Sequence, residues 1–215
     1  MKRLGEERTL YTRQEVLHSS ESRETFPNPM KCPSCLANLA NPSPQCPHCQ
    51  LSLPRLDDKF GAIPRHSALL TDLTGRIPER EARKLRRILA TFHIRFPQSL
   101  FSVFLTRQLS APIAEYTFWI ANRGRFGRFI ADPGDNFDLL LGIDVDAGTA
   151  ALVIDYGLEH YLTEEDLGRA LADASAAFRV SDFPDGIRAC VERLSERMKA
   201  LADAPGPARP SAPAL

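Results

Sequence analysis

No stretch of this 215-residue sequence approaches the roughly 18 consecutive apolar residues that a membrane-spanning helix needs, so no segment is expected to cross a bilayer. The first 30 residues also lack the apolar run of about 7–15 residues on which a secretory signal is built. They alternate charges with Ser, Thr and Pro instead (Lys2, Arg3, Glu6, Glu7, Arg8, Arg13, Glu15). Together these absences predict a cytoplasmic protein without membrane insertion. Neither sign of charge is in excess, since 27 Lys and Arg stand against 27 Asp and Glu. A balanced chain has no global field to gather nucleic acid or anionic lipid, and any such binding must be local. Missing as well are a Gly-x-x-x-x-Gly-Lys phosphate loop, a His-Glu-x-x-His helix, a Gly-x-Ser-x-Gly elbow and a cysteine-arginine phosphate loop around Cys190. No catalytic nucleophile is therefore predicted.

What is present is the composition of a folded protein, 43% hydrophobic and 25% charged, long enough for one domain of about 130–150 residues with appendages. Four of the five cysteines fall in CPSC-LANLANPSPQ-CPHC, residues 32–49. In a chain without a secretory signal such paired thiols point to metal rather than to disulfides. Each Cys-x-x-Cys knuckle brings two thiolates to one tetrahedral ion at about 2.3 Å, so Cys32, Cys35, Cys46 and Cys49 are expected to form a zinc ribbon. Structural Zn2+ is favoured over iron in a rubredoxin-like site and over thiol redox chemistry, which needs only one pair. So short a segment has no core of its own, and the metal would supply its folding free energy, about 10 kcal/mol or more. A four-thiolate site leaves no open position for a substrate water, so the zinc is expected to be non-catalytic. His48, between two ligands, reads as exposed or supporting rather than ligating.

Residues 1–30 show little hydrophobic periodicity and read as a disordered arm, with Met30 a second candidate start. Residues 31–50 are the ribbon, and the Pro-rich stretch 51–66 reads as a linker. The Pro/Ala-rich residues 203–215 read as a disordered tail. Between them, Pro78 opens a helix carrying Ala82, Leu85, Ile88, Leu89 and Phe92 at steps of three and four. Leu100–Leu105 reads as a strand covered on both faces. Ser110 and Pro112 open a second helix on which Trp119 is a core anchor. Residues 137–145 and 150–156 form a hairpin across Asp146–Thr149. Thr163 and Asp166 suggest a capping box for a third helix, and a Pro184-Asp185-Gly186 turn precedes a last helix with Cys190 on its buried face. The order predicts an α/β domain over 67–202, a small mixed sheet with helices on both faces.

The segment from about Ser67 to Leu201 resembles the TPM domain family, which includes thylakoid proteins associated with photosystem II repair and many bacterial proteins. The resemblance rests on Thr71-Asp72-Leu73-Thr74-Gly75 before the first helix and on Tyr156-Gly157-Leu158-Glu159 after the hairpin. Leu162-Thr163 and Asp182-Phe183-Pro184-Asp185-Gly186, each leading into a helix, complete it. Family members usually have a glycine after the second helix and an Asn-Gly pair at the next strand, whereas here Ile120-Ala121-Asn122-Arg123 and Asp135-Asn136-Phe137-Asp138 stand. The resemblance implies an association with phosphatase activity and with Ca2+ or Mg2+ held by clustered acids, which points to Asp72, Glu159 and Asp185. The residues themselves read more simply, with Asp72 and Asp185 opening turns and Glu159 a solvated loop acid. His160 beside Glu159 is a further acid-base candidate, weaker than its reading as an exposed loop residue.

Three functions follow for comparison. The leading one is a non-catalytic binding or scaffold protein whose partner is a protein. The alternative is a weak cation-dependent phosphatase-like enzyme. The third is nucleic-acid binding through the ribbon and the basic face of Arg80, Arg83, Lys84, Arg86 and Arg87, extended by Arg123, Arg125 and Arg128. Glu79 and Glu81 interleave with those cations and no stacking aromatics accompany them, so the solvated-face reading is preferred there.

Overall fold

In the computed structural model the described residues are 30–39, 43–107, 109–124, 126 and 137–203. The arm through residue 29, the tail from residue 204, and Arg125, Arg128, Asp135 and Asn136 lie outside them. In chain order the elements are β1 (Met30–Lys31), β2 (Asn38–Leu39), α1 (Leu53–Phe60), β3 (Leu70–Asp72), α2 (Glu79–Arg95) and β4 (Phe101–Thr106). They continue with α3 (Ile113–Gly124), β5 (Leu139–Asp144), β6 (Thr149–Ile154), a 3-10 turn (Tyr156–Leu158), α4 (Glu164–Arg179) and α5 (Phe183–Asp203). Met30 thus belongs to the ribbon, where it pairs with Leu39, and Asp203 to the last helix.

The sheet runs β3-β4-β5-β6, the first three strands parallel and β6 antiparallel to β5. Strands β4 and β5 are buried at all six positions each, as their largely apolar runs require. Their side chains alternate between two cores. Phe101, Val103 and Leu105, with Leu139, Leu141 and Ile143, meet α2, α4 and α5, whereas Phe104 and Leu140 meet α1 and α3. Helices cover both faces of a mixed sheet, the α/β architecture anticipated from the sequence. The fit is close at Gly142 on β5, where an added Cβ would lie 2.0 Å from Thr117 Oγ1 on α3.

Several elements follow their local signals. Thr163 and Asp166 form the reciprocal capping box, and Pro78 stands as the N-cap of α2, with two backbone N–H groups of the first turn donating to its carbonyl. Three differ from expectation. The stretch read as a linker contains α1, because the Ser52 side chain accepts from the Arg55 N–H, Pro54 sits in the first turn, and Leu53 and Leu56 on one face are fully buried. Strand β3 has only three residues, too few to show a period of two. The turn expected at Pro184-Asp185-Gly186 is the first turn of α5, where proline costs no hydrogen bond. Asp182 receives that turn, accepting at its carbonyl from the Gly186 N–H at 3.1 Å and at Oδ1 from the Asp185 N–H at 3.2 Å. Among the described residues no helix is long and apolar enough to cross a membrane.

Candidate metal centre

The two knuckles repeat one backbone plan. In the first, the Leu36 N–H donates to the Cys32 carbonyl at 3.0 Å and Leu36 takes φ 59°. In the second, the Gln50 N–H donates to the Cys46 carbonyl at 2.9 Å and Gln50 also takes φ 59°. Left-handed backbone at non-glycine residues is uncommon and sustained only where surrounding structure enforces it. Here it turns each chain so that both thiols of a pair face inward.

All four Sγ atoms lie within 4.8 Å of one another. Cys32 Sγ is 3.5 Å from Cys49 Sγ, and Cys35 Sγ is 3.8 Å from Cys46 Sγ. Sulfurs joined as a disulfide would be about 2.05 Å apart. Sulfurs at the corners of a tetrahedron with bonds of about 2.3 Å would be about 3.8 Å apart. The spacing is that of metal ligands, and the four cysteines can hold a metal ion.

Charge leads to the same conclusion. Burial pushes the Cys32 thiol up to about 12, while Cys46 sits lower, at about 6. At Cys46 burial acts upward but is outweighed by the backbone N–H groups of Cys49 and His48 and by the thiols of Cys32 and Cys49. At Cys35 the Ala37 N–H and the Cys32 thiol act downward, but desolvation and the Cys49 and Cys46 thiols outweigh them and the thiol moves up. Thiolates packed this closely repel one another. A cation among them would offset that repulsion, as metal binding by deprotonated thiols requires. Cys32 and Cys46 are fully buried, Cys49 is half-buried and Cys35 is exposed, so one edge of the site faces solvent. His48 is exposed and contributes its backbone N–H toward Cys46.

The ribbon shares an apolar cluster with α1 and α3, and part-buried polar contacts join α1 to α3. Glu115 on α3, 6% exposed, accepts from Lys59 Nζ at 2.6 Å. Burial pushes Glu115 up, but Lys59, the hydroxyl of Ser34 in the first knuckle and Arg55 hold it below the usual carboxylate range. One turn away, Asp57 Oδ1 accepts from the Trp119 indole N–H at 2.8 Å and from Arg123 Nε at 2.9 Å. Arg123 and Trp119 keep Asp57 low against the opposing effect of burial. Phe60 closes the contact, 5.0 Å from the Tyr116 ring and 5.2 Å from the Trp119 ring. None of these pairings was visible in the sequence, because partners such as Asp57 and Arg123 are 66 residues apart.

The carboxylates singled out in the sequence occupy separate places. Asp72, at the end of β3, accepts at Oδ1 from the Thr74 N–H and hydroxyl and the Gly75 N–H, and at Oδ2 from the Ile77 N–H. Asp185, in the first turn of α5, pairs with Arg188 at 2.5 Å. Glu159 follows the 3-10 turn, and burial pushes it up to about 7. His160 beside it is exposed. Among the described residues, the group of three or more ligating side chains whose donor atoms converge is the four cysteines, and these three acids do not join into one. Cys190 is fully buried on α5, its thiol pushed up to about 12 by burial.

The TPM domain matches residues 70–197. A solution NMR structure of the N-terminal domain of a protein from P. gingivalis superimposes with a TM-score of 0.52 at 20% identity, covering 70% of this chain and 90% of that one. The NMR structure of BA42 protein from the psychrophilic bacterium Bizionia argentinensis gives 0.50 at 10% identity, covering 60% and 86%. At such identities the likeness speaks for the fold alone. No curated protein matches the chain.

Proposed function

Given that this chain belongs to the TPM domain family, we propose that it is a non-catalytic binding or scaffold member whose ribbon holds one structural Zn2+. The observation that carries the metal is the convergence of four sulfurs within 4.8 Å on two knuckles of matching backbone. Zinc fits better than harder cations because all four donors are soft thiolates in tetrahedral spacing. Such a site is closed to substrate, so the ion would serve the fold, and the partner would be another protein meeting the ribbon's solvent edge or the α/β domain. The commitment of both Asp72 oxygens to four donors of its own turn supports a non-catalytic role for that residue.

Elemental mass spectrometry of the purified chain tests the metal. One zinc per chain, falling to none in Cys46→Ser, is the expected result, and iron in its place would make the site rubredoxin-like. A phosphomonoesterase assay with Mg2+ or Ca2+ tests the role of the domain. No turnover is expected. Turnover that disappears in a folded Asp72→Asn variant would replace this reading with the phosphatase-like one.

A further inference from the structure

The ribbon and α1 form one unit on the α3 face of the sheet. Cys32, Cys46 and Leu51 of the ribbon share an apolar cluster with Leu56 of α1 and with Trp119 and Ile120 of α3. The chain passes from the last ligand to the helix within three residues. The Cys46 N–H donates to the Leu51 carbonyl at 2.8 Å, Gln45 bridges to Ser52, and Arg55 Nη1 donates to the Cys49 carbonyl at 3.4 Å. Resting on the metal reading above, we propose that the bound metal is a conformational lock on the α/β domain, whose release frees the ribbon and α1 together and uncovers the α3 face of the sheet.

Three features make the unit depend on the ion. The ribbon has two short strands of two residues each and no core separate from the domain, so without metal its knuckles lose what fixes them. Helix α1 has eight residues, too few to persist alone in water. Glu115 ties the two together. Its carboxylate, buried beneath the unit, accepts from Lys59 of α1 at 2.6 Å and is lowered by Ser34 of the ribbon, so departure of the unit would break a pairing that both parts support. The coupling runs both ways, since a docked α3 helps hold the knuckles in ligating geometry just as the metal helps hold α3 covered.

Release would expose an aromatic surface. Trp119, the only tryptophan in the chain, is fully buried and held by Asp57 and Phe60 of α1. Its fluorescence therefore reports the lock directly. The full chain, loaded with one equivalent of zinc, is titrated with EDTA while zinc content, Trp119 emission and tryptic cleavage after Arg55, Lys59 and Arg65 are followed. The expected result is a single transition in which zinc is lost, emission moves to longer wavelength and those sites open, all restored by added zinc. Loss of zinc with emission and cleavage unchanged would overturn the lock while leaving the metal site intact. A chain that takes up no zinc would overturn both. Glu115→Gln should load zinc but lose it at a lower EDTA concentration than the parent. Should that variant not fold, Ser34→Ala, which removes only the hydroxyl facing Glu115, is expected to shift the transition the same way. Unchanged zinc retention in the folded variant would refute the coupling.

Discussion

Asp72 spends both carboxylate oxygens on the turn that follows β3, so its replacement should be felt as stability before anything else. Asp72→Asn puts an amide N–H2 against backbone N–H donors and is expected to cost about 1–3 kcal/mol in urea unfolding. Gly142→Ala should cost about as much or more, near 1–3 kcal/mol, because its new Cβ would overlap Thr117. Thr117→Ala in the same chain is expected to recover only part, since the Thr117 Cβ would itself lie at 2.9 Å. Burial acts on two other acids, pushing Asp138 up to about 6 and Glu159 up to about 7. The native state then holds these protons more tightly than the unfolded chain does. The stability this confers is complete below the ordinary carboxyl range of about 4 and is lost as pH rises through about 6 and 7. Asp138→Asn keeps an acceptor for the Leu100 N–H, at 3.0 Å in the parent, and removes one of these titrations. In zinc-saturated protein its stability should decline less steeply between about pH 4 and 6. At this scale the cysteines were legible because their spacing alone fixes geometry. The surroundings of Asp138 and Glu159 were not, since burial is a property of the whole fold.

Helix α1 shows why element signals fail when tertiary contacts decide. Its Ser52 cap, early proline and the spacing of Leu53, Leu56 and Phe60 were all in the sequence, yet the density of prolines and charges around them outweighed a pattern only eight residues long. Strand β3 was hidden for the same reason, whereas β4, β5 and the capping box of α4 spoke clearly through largely apolar runs and paired polar residues. The helix should repay attention in mutagenesis. Leu56→Ala, at a fully buried position, is expected to cost about 2–5 kcal/mol. Ser52→Ala should cost about 1 kcal/mol through loss of the cap. Both are read from chemical denaturation with zinc in excess, so that metal loss does not enter.

At the scale of the molecule, the α/β class and its sheet with covered faces followed from the order of elements, but the placement of the ribbon did not. It sits with α1 and α3 on one face of the sheet, while the basic residues of α2 lie on the helix that covers the opposite face. The ribbon and that basic helix, joined in the nucleic-acid reading, therefore belong to different layers. A chain beginning at residue 61, lacking ribbon and α1, should bind a hydrophobic dye more strongly than the full chain and emit from Trp119 at longer wavelength, even though the matched residues 70–197 are intact. The arrangement also sets a timetable for biosynthesis. The last ligand, Cys49, leaves the ribosome 75 residues ahead of Gly124 at the end of α3, an interval of about 4–15 s at ~5–20 residues per second. During that wait the knuckles can close on an ion using neighbours in sequence alone, while Leu39 and Leu51 stand uncovered until their seat is made. A nascent chain starved of zinc would thus meet its own α3 with nothing rigid to place against it, and newly made protein would suffer from zinc shortage well before mature protein does.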